Sequence, residues 1–236
     1  ENVFARPSHQ DKQLAVGVTV RNGGDKDREV VVENKVYRWS KDGLAENPEK
    51  TFSSRKISVA GGEEATFQLT ESWEDPALWF PDDPNLYTIV TTLSDGDQLI
   101  DTKRTRFGFR EITYDGDGFY INGVPWQFWS DLNSFGGIDA FIERAKKTGR
   151  NYMRYRCRHP SDDLYTFDEN GIMVRDSGVF DGQMMNYGPG VVERIDGKKT
   201  WNRDLFRHVA EHARAWVRAR RNHPCILFWS LENEIT

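Results

Sequence analysis

Between Gln13 and Asn22 the chain sets Leu14, Val16, Val18 and Val20 against Ala15, Gly17, Thr19 and Arg21. That two-residue period predicts a half-buried strand, and Gly23-Gly24-Asp25 is the turn after it. A second strand is expected within Arg28 to Trp39, and a short third over Lys56 to Val59, ended by Gly61-Gly62. Ala65, Phe67 and Leu69 line one face of a fourth, and Tyr87, Ile89, Thr91 and Leu93 one face of a fifth. Asp95-Gly96-Asp97 turns the chain into a sixth that ends near Phe107-Gly108-Phe109. Short strands at this spacing predict an immunoglobulin-like β-sandwich over residues 1–112. No Cys…Trp…Cys pattern is present, so an antibody domain is not expected.

After Glu111 the period changes. Asp115-Gly116-Asp117-Gly118 and Asn122-Gly123 read as hairpin turns around Phe119-Tyr120-Ile121, and Val124 to Ser130 as an apolar, aromatic strand. Ile138, Phe141, Ile142 and Ala145 recur at helical spacing, with Gly149 as the stop. Tyr152 to Cys157 is a strand. Ser161 caps a short helix carrying Leu164 and Phe167, which Gly171 ends. Ile172-Met173-Val174 is the next strand, followed by a long polar loop through Gly178, Gly182 and Gly188. Leu205, Val209, Ala213, Trp216 and Val217 stripe a long helix ended near Pro224, and Cys225 to Leu231 is the last strand. The order β-α-β-α-β-α-β predicts a parallel sheet. Residues 113–236 are therefore read as the first half, about four βα units, of a TIM (β/α)8 barrel. No G-x-G-x-x-G follows the first strand, which counts against a Rossmann fold.

The chain of 236 residues carries eight Trp and fourteen Phe, ample for real cores. A net charge of −5 disfavours a nucleic-acid partner. No apolar run approaches the roughly 20 residues of a membrane span, so no membrane partner is expected. Cys157 and Cys225 read as small buried residues rather than as a disulfide or metal pair. No metal or cofactor is expected, and the compartment is not readable. Oligomeric state is left open, a homo-oligomer included.

The chemistry concentrates at the carboxyl end of the last strand, where Asn233-Glu234 follows the run Cys225 to Leu231. Barrel enzymes work at that end of their strands, and a carboxylic acid there suits acid/base work on a glycosidic oxygen. Four segments then point one way. They are Leu78-Trp79-Phe80-Pro81-Asp82-Asp83-Pro84-Asn85-Leu86-Tyr87, Arg106-Phe107-Gly108-Phe109-Arg110-Glu111, Phe119 to Pro125, and Asn222-His223-Pro224 through Asn233-Glu234. In this order they resemble glycoside hydrolase family 2, the family of β-galactosidases, β-glucuronidases and β-mannosidases.

The resemblance implies a retaining glycosidase with a carbohydrate substrate, a β-linked oligo- or polysaccharide. Glu234 would be the general acid/base, and Asn233 would hold the sugar's 2-hydroxyl. The nucleophile, a second Glu, would lie on a later barrel strand. The sequence is accordingly read as an internal fragment, inactive alone and prone to self-association through its open sheet edges. Arg154 matches the Arg of the family's VRTSHYP-like segment, and His159 its His, with a one-residue length difference. Asp131 and Asn133 end the first barrel strand, and Asp176 ends the third. Asp131 and Asp176 are expected to contact substrate, with helix capping the alternative for the first and pairing with Arg175 or a neighbouring Arg for the second. Glu232 stands where the family usually has Gly.

A β-galactosidase-like activity is the first expectation. Arg154, Arg156 and Arg158 alternate along one strand and suggest an anionic sugar, as in a β-glucuronidase-like enzyme, as the alternative. A non-catalytic carbohydrate-binding relative is the rival from another class. Arg214, Arg218, Arg220 and Arg221 are read as a solvated outer helix face, and Trp126, Phe128 and Trp129 as mostly core with some sugar stacking at one end.

Overall fold

A computed structural model describes residues 2–130, 137–156, 162–181, 192–195, 198–201 and 203–233. Two compact units emerge, one of Glu1–Gln127 with Asn222–Pro224, the other of Phe128–Arg221 with Cys225–Thr236.

The first unit is a β-sandwich. Strands β1 (Asn2–Ser8), β2 (Gln13–Arg21), β3 (Arg28–Ser40), β4 (Gly43–Leu44), β5 (Lys50–Thr51), β6 (Arg55–Val59), β7 (Glu64–Ser72), β8 (Tyr87–Asp95) and β9 (Gln98–Phe107) build it. One sheet has the order β1-β2-β7, the other β4-β3-β8-β9, with β5 and β6 also pairing to β3. The alternation in β2 and β3 puts Leu14, Val16, Val18, Val32 and Val36 into the shared core with Tyr87, Ile89, Phe107 and Phe109. β1 was not expected. It adds Val3 and Ala5 to that core.

Two of the motif segments meet in this unit. The Trp79 N–H donates to the Phe109 carbonyl at 2.8 Å, and both rings are fully buried. Gly108 lies between them where a Cβ would stand 2.9 Å from that of Trp79 and 3.2 Å from the Asn85 carbonyl oxygen, so only glycine fits without a shift. Asn122 clamps the next turn. Its Nδ2 donates to the Trp79 carbonyl at 3.0 Å and its Oδ1 accepts from the Glu111 N–H at 2.8 Å. Glu111 in turn accepts from Ser8 Oγ at 2.7 Å and contacts His9 Nε2 at 3.1 Å. Asn222 is also counted with this unit. Its side chain accepts from the Ala5 N–H at 3.0 Å and donates to the Val3 carbonyl at 2.8 Å along β1.

The strand expected over Val124 to Ser130 divides. Asn122 and Gly123 both have positive φ, 51° and 80°, and fold the chain back on itself. Val124–Trp126 therefore becomes β12 of an antiparallel meander with β10 (Ile112–Tyr114) and β11 (Phe119–Ile121). Only Ser130 joins the parallel sheet, by a single bridge to Tyr152. The nearby aromatics are less buried than expected: Trp126 and Phe128 are half-buried and Trp129 is 62% exposed.

The second unit holds a parallel sheet of β13 (Tyr152–Arg156), β14 (Met173–Asp181) and β17 (Ile226–Asn233), in that order. Helices α1 (Gly137–Thr148), α2 (Asp162–Asn170) and α3 (Arg203–Arg220) alternate with these strands, and a hairpin of β15 (Val192–Ile195) and β16 (Lys198–Trp201) precedes α3. The stripe on α1 buries Phe141, Ile142 and Ala145, and Gly149, at φ 67°, ends the helix. Phe167 of α2 packs edge-on against Phe141 and Tyr155, and Trp216 of α3 against Trp229.

β14 outruns the expected Ile172-Met173-Val174 strand by seven residues, since it ends at Asp181 rather than Val174. Gly178, read as a loop signal, lies at an irregularity in the β14–β17 pairing. A Cβ there would fall 2.2 Å from the Leu231 carbonyl oxygen. This glycine permits close backbone approach inside a strand rather than a turn.

Candidate functional site

Parallel pairing aligns Arg154 with Arg175 and Phe228, and Tyr155 with Asp176 and Trp229. Side chains alternate along a strand, so these two rows occupy opposite faces of the sheet. One face is a polar layer closed by the helices. Asp176 is fully buried, and both its oxygens accept from Arg220 Nη1 at 3.1 and 3.2 Å. The sequence left open a pairing with Arg175 or a neighbouring Arg beside a substrate contact; the pairing is instead with Arg220, 44 residues away, because Arg175 lies on the other face of the strand. It also corrects the reading of the helix: Arg214 and Arg218 are exposed, but Arg220 is only 8% exposed. Its position at the last turn of α3 turns it onto the sheet instead of into solvent.

On the same face the Tyr155 hydroxyl donates to Asp163 at 3.0 Å. Burial pushes the phenol well above its ordinary range, and the bond to Asp163 and that carboxylate's charge push the same way. Asp168, buried on α2, accepts from the Cys225 N–H at 3.0 Å and so fixes the start of β17.

The other face carries the cations. Arg154 Nε donates to Ser177 Oγ at 3.3 Å, and Arg175 Nη2 donates to Ser230 Oγ at 2.8 Å. The two contacts have the same geometry. Ser177 lies two residues beyond Arg154's register partner on β14, and Ser230 two beyond Arg175's on β17. Each guanidinium thus crosses to the next strand and leans toward the strands' carboxyl ends, where barrel active sites form. Tyr152, two residues before Arg154 on the same face, feels both charges: burial raises its phenol, and the charges of Arg175 and Arg154 oppose that shift.

Asn233 closes β17, its backbone in register with Asp181. Glu234, Asp131 and His159 lie outside the described residues, as do Asn133, Arg158 and Cys157. The structure therefore brings Arg154 together with Ser177, and sets Asp176 on the opposite face. Arg175, Ser230 and Tyr152 are additions to the expected set. Arg175 was weighed in the sequence only as a partner for Asp176, and register with Arg154 is the signal that separates it. Among the described residues no group of three His, Cys, Asp or Glu is arranged to hold a metal ion. No helix among them is long and apolar enough to cross a membrane.

A sandwich followed in the chain by parallel strands alternating with helices, the last strand closing at Asn233, is the architecture of a family of glycoside hydrolases. The family model for glycosyl hydrolases family 2 matches residues 1–110, and the model for that family's TIM barrel domain matches residues 142–236. The chain belongs to glycoside hydrolase family 2.

Among curated proteins it is similar to one from Formosa agariphila provisionally named a beta-glucuronidase, at 29% identity over 81% of this chain and 19% of the relative. It is also similar to the beta-galactosidase of Erwinia tasmaniensis, at 26% identity over 85% of this chain and 20% of the relative. Solved structures of the same fold include beta-glucuronidase 2 of Bacteroides uniformis, with a TM-score of 0.73, 24% identity and coverage of 99% of this chain and 28% of that one. The family 2 beta-galacturonidase of Eisenbergiella tayi gives a TM-score of 0.76 at 22% identity, over 99% and 40% of the two chains. The chain spans about a fifth of the length of the curated relatives it matches.

Proposed function

We propose that the protein contributes the acid/base half of a retaining glycosidase that removes terminal β-linked sugars by double displacement. The observation that carries this reading is the run of β17 to Asn233 as a strand of a parallel sheet, within a stretch that matches the family's barrel model. A residue following such a strand stands where barrel enzymes place catalytic groups. In this reading Glu234 protonates the leaving oxygen and then activates water, while Asn233 holds the 2-hydroxyl. His159, Asp131 and Arg154 are assigned to the rim that contacts the sugar. Asp176, held by Arg220, is assigned to the scaffold beneath. A retaining pair needs its second carboxylate about 5–5.5 Å from the first, and we place that nucleophile on a later barrel strand. The polypeptide 1–236 expressed alone is then expected to release no aglycone.

The first choice of substrate is a β-galactoside, supported by the resemblance to curated beta-galactosidases. A β-glycoside of an acid sugar is the second reading, favoured by the Formosa agariphila relative and by the paired arginines of β13 and β14.

The test uses the full-length protein and a panel of aryl β-glycosides. Glu234→Gln should lower kcat/KM by about 10²–10⁴-fold. Azide, which attacks a glycosyl-enzyme without base assistance, should restore turnover of substrates with good leaving groups as the β-glycosyl azide. Wild-type turnover that survives Glu234→Gln unchanged would remove the assignment. Sugar binding without turnover in the wild type would favour a non-catalytic relative.

A further inference from the structure

We infer that Asn170 is the site at which the folded protein undergoes spontaneous deamidation, while the fold itself protects Asn22 and Asn122 from the same reaction. The chain holds three Asn-Gly pairs, Asn22-Gly23, Asn122-Gly123 and Asn170-Gly171. Such pairs are the reactive ones, because a following residue without a Cβ lets its amide nitrogen approach the asparagine side chain. The glycine nitrogen bonds to Cγ of the asparagine. The bond from Cγ to Nδ2 breaks, and the departing nitrogen takes the glycine N–H proton and leaves as ammonia. Water then opens the resulting succinimide at either carbonyl and gives aspartate or isoaspartate.

The side chain must rotate for this attack, so an amide fixed at both its oxygen and its nitrogen is held out of reaction. Asn22 and Asn122 are both buried and both fixed. Asn22 Nδ2 donates to the carbonyls of Lys26 at 2.7 Å and Val59 at 3.0 Å, and its Oδ1 accepts from the Gly24 N–H at 3.0 Å. Asn122 bridges the Trp79 carbonyl and the Glu111 N–H, and its own N–H donates to the Glu111 carbonyl at 2.8 Å. All these partners are backbone groups of the first unit, so releasing either side chain requires the segments around it to open. Asn170 is held more loosely. It is half-buried at the last residue of α2, and helix ends fray. Its Nδ2 donates to the Thr166 carbonyl at 2.9 Å, one turn back, and its Oδ1 accepts from Lys146 Nζ of α1 at 2.6 Å. Lys146 is exposed, with a long flexible stem, and water replaces that bond at little cost. Fraying of one helical turn therefore frees this side chain. An aspartate formed there keeps Lys146 as a partner, now as an ion pair, whereas one formed at position 122 is held with an oxygen against the Trp79 carbonyl.

The experiment incubates the full-length protein at mildly alkaline pH, native in one arm and unfolded in guanidinium chloride in the other. Peptides carrying each Asn-Gly pair are followed by mass spectrometry for the mass gain of deamidation. In the native arm Asn170 should react about tenfold or more faster than Asn22 and Asn122, because only the latter need segments of the first unit to open. In denaturant, where no clamp survives, the three rates should converge to within about threefold. Lys146→Ala should quicken the native reaction at Asn170 by about two- to tenfold, the worth of one exposed hydrogen bond, and leave the other two unchanged. Asn170→Asp should retain the wild-type melting temperature, and Asn122→Asp should lower it. Equal native rates at the three sites, or a lead by Asn22 or Asn122, would overturn the assignment. A native protein that stays unmodified at Asn170 while the denatured arm reacts there would overturn it too.

Discussion

The two units hold their buried polar groups by different means. In the sandwich the work falls to neutral amides. Asn22 donates to the carbonyls of Lys26 and Val59 and accepts from the Gly24 N–H, and Asn122 joins Glu111 to Trp79. In the α/β unit the comparable positions are ionic: Asp176 with Arg220, and Asp168 on the Cys225 N–H. An amide satisfied on both sides costs little to bury. A buried charge is tolerable only while its partner remains. The sandwich should thus lose stability in small steps when its links are cut, and the α/β unit in large ones.

Their edges differ as well. Asn222 covers the outer side of β1, whereas β17 leaves Phe228 39%, Trp229 37% and Leu231 56% exposed. The largest expected effect follows from this. Residues 1–236 expressed alone should associate through the β17 edge. Size-exclusion chromatography with light scattering tests it, and Leu231→Lys should shift the protein toward monomer. A wild-type monomer at high concentration would end the contrast between the edges.

The next effect is on the ion pair. Asp176→Ala or Arg220→Met alone should cost the α/β unit about 3–5 kcal/mol, because each leaves an uncompensated buried group. The double replacement Asp176→Leu with Arg220→Met should cost far less than either. Hydrogen exchange by mass spectrometry, read on peptides of β14 and α3, separates this from any change in the sandwich. Additive losses in the double variant would show that the pair is not coupled. Asn122→Ala comes below it, at about 1–3 kcal/mol, since it strands the Glu111 N–H and the Trp79 carbonyl. Exchange should rise around Trp79 and Glu111 and stay unchanged in α3. A loss as large as that of Asp176→Ala would erase the distinction between amide and ionic links.

The smallest effect appears only in alkali. Tyr155 and Tyr87 are both held protonated above the ordinary phenol range, mainly by burial. A raised folded pKa means that the unfolded chain releases its proton first. The contribution to stability is intact below about pH 10 and is lost as pH rises beyond it. Tyr155→Phe should flatten the alkaline fall of the melting temperature in the α/β unit, and Tyr87→Phe should do so in the sandwich. An unchanged slope in both variants would show that other groups control it.

Much of this architecture is legible from local sequence. The strict alternation in β2, β3 and β8 and the helical stripes on α1 and α3 need no long-range information. What escaped depends on partners distant in the chain. β1 carries Pro7 and only two buried side chains, so its alternation is brief, and its strand identity comes from pairing with β2. Val124–Trp126 has the composition of a barrel strand, yet the Asn122-Gly123 turn hands it to β11. Arg220 is indistinguishable in sequence from Arg218, and only the last turn of α3 aims it at Asp176. The candidate site divides in the same way. Asn233-Glu234 is visible as a motif at a strand end, whereas the shared face of Arg154 and Arg175 exists only once β13 and β14 are in register.

Asn222 has a consequence in time. Its side chain meets Val3 and Ala5, and the contact to Ala5 spans 217 residues of chain. At ribosomal rates of about 5–20 residues per second, roughly ten to forty seconds separate the emergence of β1 from that of its cover. During that interval the strand is paired on one side only, with its other row of donors and acceptors open to any passing chain. The newborn sandwich is most vulnerable while its far end is still being translated, and a chaperone that shields residues 2–8 would act in that window.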